Sequence, residues 1–268
     1  MVPEDEDEWV GVDRDCPQDA DEWHACTDID VLYWPLRNAV LGERVADRSP
    51  RKWVLFAAGC CRQVGQFLIA PESWAAVEAA EAFADGLLSA GELAAAAAAA
   101  VMPWRRLYDP TRTDYAHPPQ MHVAIAVTRL ALDAPEDDAP VGSDQAYSHV
   151  VDALAAATGN DPADGDRWRG RVRGSRLAAD LFRCVMGNPY RTVAFAPEWR
   201  TATTVALARH MYETRDFSAL PILADALQDA GCDDAAVLTH CRGLGPHARG
   251  CWVLDWVLGY GEPYTFSE

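Results

Sequence analysis

The sequence predicts an all-α protein built from short helical hairpins, packed as a two-part helical bundle behind an acidic N-terminal lead. Three observations predict it. Apolar residues recur with helical spacing along most of the chain, alanine fills one long tract, and glycine and proline interrupt the pattern at short intervals. Half of the 268 residues are hydrophobic and 24% are charged, which is typical of a globular chain and excludes collagen-like, low-complexity and disulfide-dense classes.

The clearest helical pattern lies in residues 49–68. Counted from Trp53, apolar side chains fall at i, i+3, i+4, i+7, i+8, i+11, i+14 and i+15, which is one face of a helix over four turns. Cys60 and Cys61 lie on this face, so core packing is their expected role. Pro71 ends the pattern, and 73–87 predicts the next helix.

An alanine-rich helix follows. Ser89 and Glu92 have the spacing of a capping box, and Ala94–Ala100 is a run of seven alanines, the residue with the highest helix propensity. We expect this helix to end at Pro103. After a proline-rich loop, residues 120–132 and 145–158 predict two further short helices.

The C-terminal part of the chain is punctuated more tightly. Helices are predicted over 167–186, 201–214, 221–230 and 251–258, with one more beginning after Asp233 and ending near Gly243. Gly187-Asn188-Pro189 is a strong terminator for the first of them. Only 31–34 and 192–196 favour short extended segments.

These breaks predict four regions: an acidic flexible lead (1–21), an N-terminal helical region with the alanine-rich helix (22–133), a linker with a short helix (134–166), and a C-terminal helical region (167–268). The first 30 residues carry twelve acidic side chains against Arg14 as the single basic one. Such a segment buries little apolar surface, so the lead is expected to be partly disordered.

The formal net charge of −18 disfavours direct nucleic-acid binding, because an acidic chain is repelled by phosphate backbones. No secretory signal and no apolar run of bilayer-crossing length is found, so we expect a cytoplasmic protein that does not enter a membrane. In that compartment the eight cysteines are expected to be buried thiols rather than disulfides.

The distribution of charge and tryptophan favours a non-enzymatic protein–protein interaction module, either an adaptor, a scaffold or an inhibitor subunit. Seven arginines lie between Arg167 and Arg191 with Asp180 as the only acid, forming either a contact surface or a solvated helix face. Tryptophans in the acidic lead either dock into the groove of another protein with a basic surface or anchor the lead on its own body. In the first case the acidic surface would mimic nucleic acid. The candidate partner-binding residues are Trp9, Trp23, Arg167, Arg169, Arg171, Arg173 and Arg176.

The alternative function is that of a small metalloprotein or enzyme with a Cys/His site. The candidate ligands are His240, Cys241, His247 and Cys251, arranged H-C-x5-H-x3-C around a glycine-rich turn. Zinc takes thiolate and imidazole ligands in a tetrahedron, so this turn can supply four. The competing interpretation places both cysteines in the core and the histidines at helix ends. Adjacent His240 and Cys241 also point to different faces of a helix, which weighs against both acting as ligands.

Catalytic patterns are weaker. A thiol nucleophile would pair Cys251 with His247 or Cys26 with His24, and neither pair carries a family signature. Asp225 and Asp229 share a helix face, as is expected by chance among 41 acidic residues. Motifs for phosphate loops, dinucleotide binding, zinc proteases and α/β-hydrolases are not found, so an enzyme is the less favoured class and no cofactor other than zinc is indicated.

Several motifs carry a resemblance to a known group of proteins. The N-terminal block contains EWHACTD (22–28) and LFAAGCCR (55–62); the C-terminal block contains GNPYR (187–191), PILADALQDAGCD (221–233), HCR (240–242) and GPHARGCW (245–252). Together they resemble an expanded family of uncharacterised planctomycete proteins, over roughly residues 22–101 and 177–259. The family joins its two blocks by a long helical tract, from which residues 102–165 depart. The resemblance implies kinship and no mechanism.

Overall fold

The computed structural model describes residues 16–41, 51–107, 148–153, 166–261 and 264–266, and it is all-α, as predicted. No strand occurs within these ranges. The helices are α1 (Ala20–Ala25), α2 (Ile29–Leu41), α3 (Arg51–Gln63), α4 (Pro71–Ala84), α5 (Ala90–Leu107), α6 (Asp166–Met186), α7 (Ala202–Thr214), α8 (Leu220–Asp229), α9 (Ala235–Arg242) and α10 (Trp252–Leu258). Short 3₁₀ turns lie at Gly65–Phe67, Pro197–Trp199 and Phe217–Ala219, and 148–153 is helical.

Parts of the predicted organisation lie outside the described residues. These are the acidic residues 1–15 with Trp9, the helix predicted at 120–132, and most of the linker predicted at 134–166.

Two local predictions were wrong. The segment 31–34 is part of α2 rather than extended, because Ile29, Leu32, Tyr33 and Leu36 bury one helical face with a spacing of three and four residues. Pro35 lies within α2 and removes one backbone hydrogen bond, and burial of this face compensates for that loss. The predicted end of the alanine-rich helix at Pro103 was also wrong, because α5 continues through Pro103 to Leu107.

Helix α3 is the centre of the fold. All ten residues Lys52–Cys61 are buried, so the helix is enclosed on every side rather than only along the predicted apolar face. Trp53 and Phe56 pack on Phe182 of α6, with ring centroids 5.8 and 5.0 Å apart. Next to it, α4 leads into α5, whose predicted capping box is confirmed: the Glu92 carboxylate accepts from the Ser89 backbone N–H at 2.9 Å.

Two apolar clusters form the core. The first contains buried side chains of α1 to α6, and the second contains those of α7 to α10. Helix α6 contributes to both, because Phe182 and Val185 belong to the first cluster and Cys184 to the second. The last turn of α6 therefore lies between the two parts of the core.

The connection between α9 and α10, residues 243–250, docks on α3 through two glycines. A Cβ added to Gly59 would lie 2.9 Å from Cβ of Ala248, and one added to Gly250 would lie 2.8 Å from a methyl group of Leu55. Gly250 also has φ +87°, a conformation that residues with a Cβ adopt only under strain. Glycine at these two positions lets the connection approach the helix closely.

Ion pairs hold the same connection from another side. Arg249 contacts Asp85 at 2.7 Å and Glu81 at 3.6 Å, and both acids lie at the end of α4 with side chains 5% and 1% exposed. Glu81 also accepts from Arg62 of α3 at 2.5 Å and from Nε of Arg215 at 2.8 Å. Glu81 and Asp85 are called the acidic anchor below.

Residues near both ends of the described chain form hydrogen bonds with the end of α6 and the turn that follows it. The indole N–H of Trp23 donates to the carbonyl of Gly187 at 3.1 Å. From the other end, the backbone N–H groups of Tyr264 and Phe266 donate to the carbonyls of Met186 and Pro189, at 3.3 and 3.0 Å.

Candidate metal centre

Two cysteines and two histidines converge beside the end of α6. Cys184 lies in the last turn of α6, His240 in the last turn of α9, and His247 and Cys251 in and just after the α9–α10 connection. One ligand atom from each of the four lies within 4.8 Å of the others. The group therefore joins three segments that are separate in the sequence.

Two of the distances between the ligand atoms are close to those around a tetrahedral ion. Nε2 of His240 lies 3.2 Å from Sγ of Cys251, and Nδ1 of His247 lies 3.6 Å from Sγ of Cys184. Zinc bond lengths of about 2.0–2.3 Å place tetrahedral ligand atoms about 3.3–3.8 Å apart. Two thiolates and two imidazoles are a ligand set that structural zinc sites use.

Burial differs between the sulfur and nitrogen ligands. Cys184 and Cys251 are 1% and 0% exposed, whereas His240 and His247 are half-buried. The two sulfurs thus lie in the second apolar cluster, and the histidines are the more exposed members of the group.

Local structure fixes each ligand in place. Helix α9 begins at Asp234, whose side chain accepts from the backbone N–H groups of Ala236 and Val237, and it presents His240 one and a half turns later. The turn geometry at Gly250 then directs Cys251 inward at the start of α10. Because the connection is held on α3, His247 and Cys251 keep a fixed position opposite Cys184.

Further contacts surround the ligands. The backbone N–H of Ala248 hydrogen-bonds the Cys184 sulfur and favours its thiolate form. Nε2 of His247 lies 3.5 Å from the carbonyl oxygen of Gly243, which favours a proton on Nε2 and leaves Nδ1 facing the sulfur. The ring of His240 packs against Trp252, with centroids 5.4 Å apart. Such contacts orient ligands in metal sites.

The cluster changes the acidity of its members. Burial raises the pKa of Cys251, but hydrogen bonds with Cys184, His240 and His247 outweigh it and hold that pKa well below its ordinary value. Burial lowers the pKa of His247, and the hydrogen bond with Cys251 reverses the shift, so the net change is upward. The pKa of Cys184 is raised well above its ordinary value, mainly by burial. Cys251 is thus the sulfur most ready to ionise.

For the other four buried thiols, burial is the largest influence on the pKa. Burial raises the pKa of Cys60, and it raises the pKa of Cys61 to about 12. Burial also raises the pKa of Cys241 and Cys232. All eight cysteines are free thiols, six of them buried, which agrees with the prediction from the sequence.

Three of the four ligands predicted from the sequence come together: His240, His247 and Cys251. Cys241 does not join them, because adjacent helical residues face different directions and its side chain packs in the second apolar cluster. Cys184 takes the fourth place. Sequence reasoning missed it because it lies 63 residues before His247, and no short spacing links the two.

The remaining catalytic candidates have other partners or lie at the surface. The Cys26 thiol donates to the carbonyl of Asp28 at 3.4 Å. Asp225 is exposed and pairs with Arg242 at 2.8 Å, and Asp229 is exposed at the end of α8.

The candidate partner-binding residues differ in accessibility. Trp23 is 1% exposed and packs against Phe182 and Tyr190, so its indole anchors the first helix on the protein itself. Arg171, Arg173 and Arg176 are exposed on α6, and Arg171 pairs with Asp152. The side chains of Arg167 and Arg169 lie outside the described part. Contact of this strip with a partner stays a prediction.

A cavity of about 470 Å³ borders the cluster. Cys184, His240 and His247 form part of its wall, and Arg183, Arg191 and His24 form another part. Burial lowers the pKa of His24, and the charges of Arg183, His240 and Arg191 lower it further. With Asp180 also in the lining, the cavity carries two arginines against one acidic side chain, in a chain of net charge −18.

Comparison with protein-family models, curated proteins and solved structures finds no match for this chain. The resemblance in the two sequence blocks therefore stays a prediction. Among the described residues, no helix combines the length and apolar character needed to cross a membrane.

Proposed function

We propose that this protein binds one zinc ion through Cys184, His240, His247 and Cys251, and that the ion fixes the α9–α10 connection to the end of α6. The observation that carries the proposal is the convergence of four soft and borderline ligand atoms, from three segments, within 4.8 Å. Hard cations such as Mg²⁺ and Ca²⁺ prefer oxygen ligands, whereas zinc prefers this nitrogen and sulfur set.

The ligand set supports a structural rather than a hydrolytic role for the ion. Four protein ligands fill the tetrahedral shell of zinc, whereas catalytic zinc sites keep one position for water or substrate. Both sulfurs belong to the second apolar cluster, so an ion held by them would join the end of α6 to the α9–α10 connection. Zinc binding would then contribute directly to folding free energy, as it does in other small zinc-stabilised folds.

The chain itself supplies a matched pair of variants for the test. Cys184→Ala and Cys241→Ala each remove one buried thiol from the second apolar cluster, but only Cys184 belongs to the ligand group. The wild-type protein, purified without chelators, is expected to contain one zinc per chain by elemental analysis and native mass spectrometry. Cys184→Ala is expected to lose it and Cys241→Ala to keep it.

Cobalt gives an independent readout of the ligand type. Co²⁺ titrated into apoprotein should produce the visible absorption of a tetrahedral ion and the ultraviolet bands of sulfur-to-cobalt charge transfer. A chain that takes up neither zinc nor cobalt, or a Cys184→Ala variant with unchanged zinc content, would overturn the proposal.

A further inference from the structure

The lining of the cavity beside the ligand group combines two kinds of side chain. Arg183, Arg191, His24 and Asp180 are polar or charged, and Val193, Pro246 and Trp252 are apolar. Its volume of about 470 Å³ falls within the range of about 300–1,000 Å³ that small-molecule sites occupy. The size admits a compact organic molecule rather than a polymer.

The two arginines differ in how they are held. Arg183 is fixed by its Nη1, which donates to the carbonyls of Trp23 at 3.2 Å and Cys26 at 2.5 Å, and by its Nη2, which contacts Asp180 at 2.5 Å. Asp180, the acidic side chain in the cavity lining, is therefore already paired. These contacts hold the positive charge of Arg183 in place without a ligand.

Arg191 keeps donors for a ligand. Its contacts with Asp234 are long, at 3.3 and 3.4 Å, and both are made by Nη2. Within the described part of the chain, Nε and Nη1 are thus left for another acceptor, and the side chain is 42% exposed. A guanidinium with free donors at the rim of a partly apolar cavity is suited to a carboxylate or phosphate group.

We propose that this cavity binds a small organic anion, with its carboxylate or phosphate group on Arg191 and its apolar body against Val193, Pro246 and Trp252. The inference goes beyond zinc binding and does not require the ion, although His240 and His247 also line the cavity. In this arrangement Arg183 supplies positive charge and Arg191 supplies the hydrogen bonds.

The test uses three small aromatic probes on the full chain. Benzoate, phenyl phosphate and neutral benzyl alcohol are titrated by calorimetry at constant ionic strength. At least one of the two anions is expected to bind at one site per chain, about tenfold or more tighter than the alcohol, because charge-assisted hydrogen bonds are stronger than neutral ones. The tighter of the two anions identifies the preferred headgroup.

A matched pair of variants locates the site. Arg191→Gln is expected to weaken anion binding about tenfold or more, whereas Arg209→Gln, at an exposed arginine of α7 away from the cavity, should leave it unchanged. Circular dichroism checks that both variants are folded. His24→Asn changes a second residue of the cavity lining and is expected to weaken anion binding less.

Three results would overturn the inference: neither anion binds, the alcohol binds as tightly as the anions, or folded Arg191→Gln binds like the wild type. Zinc is measured on the same samples. Anion binding without zinc would contradict only the proposed function, and one zinc per chain without anion binding would contradict only the cavity site.

Discussion

The α9–α10 connection is held on two sides by different chemistry. Toward α6, His247 and Cys251 face Cys184 across a group of atoms that suits an ion. Toward α4, Arg249 contacts the acidic anchor, Glu81 and Asp85, in a contact that needs only the chain's own charges.

The two contacts differ in what they need in order to stabilise the connection. Glu81 is surrounded by Arg62, Arg215 and Arg249, so its buried charge is compensated as soon as the chain folds. In the proposed zinc-bound state, the thiols on the other side would contribute fully only after a metal replaces their protons. One short segment would then combine a contact that depends on metal supply with one that does not.

The largest expected effect is that of zinc removal. Stripping the ion with a chelator should lower the unfolding free energy by about 4 kcal/mol or more, relative to protein in free zinc at about a thousand times the dissociation constant. For a chain of this size that corresponds to a fall in Tm of roughly 10 °C, measured by thermal unfolding. The Cys184→Ala variant should show no response to the chelator. A wild-type Tm that stays constant while zinc leaves would show that the ion does not stabilise the fold.

The next effect is that of the acidic anchor. Glu81→Gln removes the carboxylate that Arg62, Arg215 and Arg249 share, although Arg249 keeps Asp85, and we expect a loss of about 3 kcal/mol in denaturant unfolding. Glu78→Gln, at an exposed position on the same helix, should change stability by less than about 0.5 kcal/mol. Zinc content should be the same in both variants, since neither residue belongs to the ligand group.

The pH dependence of the stability difference between wild type and Glu81→Gln tests the same contact more sharply. Burial raises the pKa of Glu81, but Arg62 and Arg215 outweigh it and bring that pKa below its ordinary value of 4.5. A carboxyl with a depressed pKa in the folded state stabilises above the unfolded value and loses that contribution as the pH falls. The stability gap between wild type and Glu81→Gln should therefore be full above pH 4.5 and close below it. A gap that widens in acid would contradict the assignment.

The smallest expected effect separates two glycines of the connection. Gly250→Ala introduces a Cβ at φ +87° and 2.8 Å from Leu55, so we expect a loss of about 1–3 kcal/mol and weaker zinc binding. Gly245→Ala meets nothing within 4 Å and should be close to neutral. Equal effects of the two changes would show that docking on α3 does not position the ligands.

Local sequence signals predicted most helices but only part of the site. The periodicity of α3 and the terminator after α6 act over a few residues. Both ends of α6 were therefore predicted within one residue and the start of α3 within two, although the predicted helix ran five residues past Gln63. His247 and Cys251 are four residues apart in one turn, which is also a local pattern. Cys184 is placed by packing of α6 between two core clusters, and no short-range rule contains that information.

The turn after α6 also sets an order of events during synthesis. Trp23 bonds a carbonyl 164 residues later in the chain, and Tyr264 closes the same turn. Because the ribosome releases the N-terminal helices before Gly187 is synthesised, the indole of Trp23 stays exposed to solvent or bound to a chaperone until then. The final contacts of the first helix are therefore among the last to form, and slow translation would lengthen the interval in which that apolar surface is exposed.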